Sequence, residues 1–280
     1  MRRNRRCHTI QKPVLKNLLA NLHKTYYFSC MQTITDIINR LDEIVQQCIK
    51  EKKRAGYFAA LYKRMTIAVA DGIKHSIFED AARMERIDVN FATRYLDAYD
   101  AYYSGRPCSA SWKFTFDCCA NESLVVIQHL LLGVNTHINL DLAITAAVTA
   151  PGTGINDLQK DFNKINGVIA GLADDVQESL SKVWFPMRWL TKIANGKQMA
   201  VLNFSIDKAR DASWASALLL SAMNDGEQQA YIHQIDTTVK TIGSGIFSPG
   251  LWMKFLLKII HFTEYNDVAR TIRLINTTVV

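Results

Sequence analysis

The chain is notable first for what it lacks. No run of eighteen consecutive apolar residues is free of polar interruption, so no stretch reads as transmembrane. No Pro/Gly/Ser-rich linker or break in composition follows residue 31, which makes a single helical domain over 31–280 the simpler organisation. The six cysteines (Cys7, Cys30, Cys48, Cys108, Cys118, Cys119) include no CxxC pair. That excludes a disulfide scaffold and fits a reducing compartment, with the cytoplasm as the default location. There is also no P-loop, no GxGxxG after a strand, no GxSxG elbow, no HExxH and no zinc-finger spacing, so the common nucleotide, hydrolase and metalloprotease templates do not apply.

Acid is absent from residues 1–30, which carry Arg2, Arg3, Arg5, Arg6, Lys12, Lys16 and Lys24. Those seven basic groups account for the whole net charge of +7, and the remainder is formally neutral. A balanced body has no global attraction for phosphate backbones, which argues against a nucleic-acid partner. Met31 opens MQTITDIINRLDEIV, so translation starting there would make 1–30 a basic, disordered upstream extension. A functional basic tail and an Arg-rich presequence are the alternatives. A secretory signal is disfavoured, because Lys16, Asn17, Asn21, His23 and Lys24 interrupt any apolar segment.

What the chain does have is helical periodicity. Ile34, Ile37, Ile38, Leu41, Ile44, Val45 and Cys48 predict an amphipathic helix ending near Lys52, with Gly56 as the break. Further helices are predicted over about Tyr57–His75, Val89–Tyr103 and Ser111–Cys119. After the PGTG turn a long stripe from Leu158 to Val183 follows, then a short aromatic piece (Trp184, Phe185, Trp189) and the Asn195-Gly196 turn, which allows a few extended residues near 195–204. Helices over Ser205–Met223, Gln228–Ile242 and Leu251–Ile275 complete an all-α fold of about eight to ten helices.

The most informative stretch is LVVIQHLLLGVNTHINLDLAITAAVTA, Leu124–Ala150, within a predicted central helix over 122–150. Its aliphatic residues point all round the wheel, the pattern of a helix buried on every side. Yet it carries His129, Asn135, His137, Asn139 and Asp141. A buried polar group costs roughly 1–3 kcal/mol unless it finds a partner, so this set implies a satisfied network or a site. At about 100° per residue, His129, Gly133, His137 and Asp141 form one ladder, and Gln128, Asn135 and Asn139 another.

His137 and Asp141, four apart, can share a hydrogen bond or a metal ion. His129 is about 12 Å further along the axis, too far to join one ion easily. A divalent metal (zinc, iron or manganese) would therefore need ligands from another helix, and Glu79 and Asp80 in FEDAARMERID are the best suppliers, with Asp207 and Asp211 second. Without a metal, His129, His137 and Asp141 are acid/base candidates, since imidazole titrates near neutral pH. Asn135, Asn139, Arg83 and Arg94 are candidate substrate contacts, either arginine being able to neutralise Asp141 or grip an anionic group.

Other clusters read as structure. The run DDVQE (Asp174–Glu178) is similar to the aspartate-rich motif of helical isoprenoid enzymes, but it lies off the apolar stripe and has no partner motif, so it reads as surface charge. Tyr95, Tyr99, Tyr102 and Tyr103 alternate with aspartates, which suits a helix face and not a base-stacking platform. Vicinal Cys118 and Cys119 read as helix packing.

Together, GYFAALYKRMT (56–66), FEDAARMERIDVNFATRYL (78–96), QHLLLGVNTHINLDLA (128–143) and FSIDKARDASW (204–214) resemble the bacterial domain of unknown function family numbered 5995. The likeness spans about 31–275 and centres on H-x5-N-x-H-I-N-x-D, filled by His129, Asn135, His137, Asn139 and Asp141. The resemblance implies an all-helical fold and supplies no reaction. Two readings remain on the residues themselves. One is an enzyme acting on a small, partly apolar molecule beside the central helix. The other is a non-catalytic helical protein, a ligand carrier or interaction module, whose polar ladders fix helix register.

Overall fold

The first helix begins where the sequence supplies a cap. Thr33 accepts from the Asp36 N–H and Asp36 reaches back to the Thr33 N–H, a capping box that satisfies two otherwise orphaned donors. The computed structural model describes residues 33–165, 167–168, 197–264 and 266–277, with the side chains of 197–206 excepted. Among these residues every regular element is helical.

Helix α1, Ile34–Glu51, buries Ile34, Ile37, Leu41, Ile44, Val45 and Cys48, the stripe its sequence predicts. It ends at Lys52, whose φ of 53° turns the chain. Gly56 is therefore not the break. It lies inside α2, Ala55–Lys74, where a Cβ would come within 2.6 Å of both Cys48 and Ile272. Helix α3 runs Ala81–Tyr103 and starts eight residues before the predicted Val89, because Asp80 caps it by accepting from the Arg83 N–H at 2.8 Å. The short α4, Ala110–Cys118, is capped by Ser109.

Helix α5 occupies Val126–Thr149 and is the hub. It is α-helical over Val126–Thr136, π-helical over His137–Leu142 and α-helical again over Ala143–Thr149. A helix over 155–165 (α6) follows, then α7 Lys197–Ala222, α8 Asp225–Phe247, α9 Leu251–Thr263 and α10 Val268–Asn276. Helices α2, α3, α4, α7 and α8 all pack on α5. It is long and apolar enough to cross a membrane, but 72% of the qualifying window is buried inside the protein, as expected of a core helix encircled by partners.

Three further predictions about elements are corrected. The final Leu251–Ile275 helix is two helices, broken at Glu264 by the chain's turn to dock α10 on α1 and α2. Residues 197–204 are helical and not extended. The third concerns the straight wheel drawn through 124–150, because a π turn closes i→i+5 bonds and shifts the register midway. The aromatic piece, the Asn195-Gly196 turn, DDVQE and the basic segment 1–30 lie outside the described residues.

Candidate functional site

The π turn sits where the polar residues are densest. On α7, the Ser213 hydroxyl donates to the Ile138 carbonyl, providing a partner for a carbonyl of the altered turn. Within that turn the His137 Nδ1 lies 2.9 Å from Asp141 Oδ2. The Trp112 indole N–H of α4 donates to the same oxygen at 2.8 Å. Arg94 of α3 completes the carboxylate, with Nε 3.5 Å from Oδ1.

Asp141 accepts from the indole and is ion-paired with the arginine, and its place beside Nδ1 assigns the imidazole proton to Nδ1. The Nε2 atom is left with its lone pair. It is buried and has no hydrogen-bond partner among the described residues. Burial lowers the His137 pKa; Asp141 opposes this and Arg94 reinforces it, with a net shift downward. The ring is therefore neutral at pH 7.

An aromatic box surrounds this imidazole. Phe91 stacks on it with centroids 3.7 Å apart and planes 9° apart. Tyr62 meets it edge-on at 4.4 Å, and Phe58, Trp112 and Tyr95 stand at 5.8, 6.0 and 6.1 Å. The Tyr62 and Tyr95 hydroxyls and Asp88 Oδ2 are likewise buried without a partner. Burial, then Asp88 and Asp141, push the Tyr62 phenol well above its ordinary value. Burial and Glu85 push the Asp88 carboxyl up to about 7.

His137 is 3% and Asp141 2% exposed, so the dyad is sealed from bulk water. The way in is α3. Phe91 and Arg94 are only half-buried, and the Arg94 side chain is 38% exposed while touching Asp141. Arg94 thus links the dyad to the protein surface.

The other sequence candidates go elsewhere. His129 does not share the His137 site: it lies against Tyr57, centroids 5.7 Å apart, and burial pulls its pKa down to about 4. Asn135 donates to the Val239 carbonyl of α8 at 3.0 Å, tying α8 to the hub, and Asn139 donates to Asn135 within α5. Arg83 is bound to the buried Asp161 at 2.9 Å. Asp161 also accepts the N–H groups of Glu79 and Asp80. Desolvation works against its charge, but the Glu79 N–H, Arg83 and the Asp80 N–H hold its pKa below the usual value.

The metal set is not assembled. Asp80 is engaged as the α3 cap, Glu79 is directed to Lys160 at 3.4 Å, and Asp207 and Asp211 are exposed. Among the described residues no three His, Cys, Asp or Glu side chains gather as a metal site. The residues present do not fit an ion held by Glu79 and Asp80 with the dyad. Proximity of FEDAA to the centre could not be read from one helical wheel, which fixes directions only within its own helix.

Sequence reasoning missed Trp112, Phe91, Tyr62, Phe58 and Asp88. One signal for the box was available: Phe58 and Tyr62 are four apart in GYFAALY, the spacing that puts two rings on one face. Nothing in SWKFTF marks Trp112 as the partner of a carboxylate 29 residues away. A family model described as Family of unknown function (DUF5995) matches residues 34–249. No curated protein and no solved structure matches the chain.

Proposed function

The chain belongs to the family of unknown function DUF5995, and we propose that its His137–Asp141 dyad is an acid/base site for a small, partly apolar molecule admitted past Arg94 and Phe91. The observation that carries this reading is the unpartnered Nε2 atom. A buried polar atom left without a partner costs about 1–3 kcal/mol, and here it belongs to an imidazole whose other nitrogen is already oriented by a carboxylate. That is the arrangement a general base needs: one nitrogen fixed, the other basic and desolvated.

In this reading Nε2 takes a proton from the bound molecule, and Asp141 stabilises the imidazolium that forms. Trp112 holds the carboxylate in place and keeps it turned toward the ring. The aromatic walls select an apolar body, and closure of Arg94 over the dyad keeps water out. No step passes through a metal. The four free cysteines among the described residues (Cys48, Cys108, Cys118, Cys119) suit a reducing, cytoplasmic setting for this chemistry.

A second reading, a non-catalytic polar core that fixes helix register, is favoured by how little of His137 and Asp141 is exposed. Diethyl pyrocarbonate separates the two, since it acylates neutral imidazole at an accessible nitrogen. The exposed His75 and His233 serve as internal standards, read by peptide mass spectrometry. The site reading expects His137 to react in the folded chain, several-fold faster in Arg94→Ala. If His75 and His233 react while His137 stays inert in both proteins, the dyad is structural.

A further inference from the structure

Helix α9 does not behave like the rest of the fold. It has no buried residue and makes no substantial packing contact with another described helix. Trp252 is 81% and Phe262 93% exposed, and Phe255, Leu256 and Ile259 are exposed beside them. Scattered exposed hydrophobic residues are ordinary, but a contiguous ridge of them marks an interaction surface.

The charges of α9 decide what that surface fits. At about 100° per residue these five side chains share one arc of the helix, and Lys254, Lys258 and His261 form a stripe beside it. The half-buried Leu257 and Ile260 lie on the remaining side. His261 lines a small cleft with Tyr57 and Glu264, which marks the inward flank. The segment LWMKFLLKIIHFT contains no acid. A second copy of the same helix would set lysine against lysine across an apolar seam. A surface that is apolar beneath and anionic at its rim satisfies both features.

We propose that α9 is an interfacial helix that lies flat on an anionic lipid bilayer, with Trp252, Phe255, Ile259 and Phe262 entering the headgroup boundary. Lys254 and Lys258 stand at headgroup level against anionic lipid. Its thirteen residues give a contact about 20 Å long. The helix lies beyond residues 34–249, the part the family model matches, and the inference does not depend on the dyad.

The test is flotation of the full chain with vesicles of phosphatidylcholine alone or enriched in phosphatidylserine. The basic residues 1–30 would attract any anionic surface, so variants within α9 carry the decision. Lys254→Gln with Lys258→Gln is expected to weaken partitioning by on the order of 25-fold, from roughly fivefold per lysine. Phe255→Ser with Ile259→Ser is expected to abolish flotation while leaving the melting temperature unchanged. Absence of flotation by the folded chain overturns the proposal, as does flotation that neither pair affects. So does loss of a dimer in size-exclusion chromatography on Phe255→Ser with Ile259→Ser, which would assign the ridge to a second copy.

Discussion

Single residues in this protein are set by whether burial is matched by a partner. Asp141 is buried and matched three times, by Trp112, His137 and Arg94; removing it as Asp141→Ala is expected to cost about 3–5 kcal/mol in a urea melt, the range for breaking a buried pair. Asp88 is buried and unmatched at Oδ2. Its folded pKa of about 7 lies above the ordinary 3.8, so between these values the folded state keeps a proton that the unfolded chain has released. Stability from this group is therefore lost as pH rises from about 4 to about 7, by roughly 4 kcal/mol at most at 1.36 kcal/mol per unit. Asp88→Asn removes that loss. Its advantage over wild type in urea midpoints should widen across this range and then hold constant; a gap independent of pH would show that Asp88 ionises freely. His129, lowered to about 4, works the other way, and its contribution is present above about pH 6.5 and is lost as pH falls toward 4. The two shifts offset each other in the intact protein, which is why the single variant is the informative measurement.

At the scale of elements, the hub helix is held by close approach. A Cβ on Gly133 would stand 2.4 Å from the Phe58 ring, and Phe58 is a wall of the imidazole box. Gly133→Ala should therefore destabilise by roughly 1–3 kcal/mol, the clash outweighing the helix-propensity gain of about 1 kcal/mol. Gly245 in α8 meets nothing within 4 Å, and Gly245→Ala should stabilise by up to about 1 kcal/mol. Thermal melts of the pair test whether packing or propensity governs each position. Periodicity made α1, α2 and the burial of α5 legible, because an apolar stripe is a local property of sequence. The early start of α3 was not read, although Asp80 is a favoured N-cap residue, because the polar FEDAARMERID segment offers too little stripe to extend a helix. The break between α9 and α10 was hidden for the opposite reason: both sides are helical in period, so the local signal of Asp267 capping α10 through the Arg270 N–H was masked by the stripe.

For the molecule as a whole, the matched family segment is not the entire packing unit. Ile272 and Ile275 of α10 are 0% and 1% exposed and fill the seam between α1 and α2, while Arg64 of α2 donates to the Ile275 carbonyl at 3.2 Å. Ile272→Ala is expected to cost about 2–5 kcal/mol, measured by urea denaturation, although it lies beyond residue 249. Substitutions on the exposed arc of α9 should cost almost nothing in the same assay. That contrast separates a helix that completes the core from one left to meet a partner.

Sequence alone determined the all-helical class, the buried central helix and the pairing of His137 with Asp141, because each is fixed by spacing within one segment. It also determined that Asn135 and Asn139 face another neighbour than the histidines. Tertiary structure decided which polar residues meet. It sent His129 to Tyr57, Glu79 and Asp80 to Asp161, and Trp112 and Arg94 to Asp141. The physical reason is that a helix presents directions, not destinations: the π turn resets those directions within α5, and only the packing of α3, α4 and α7 against it selects the partners.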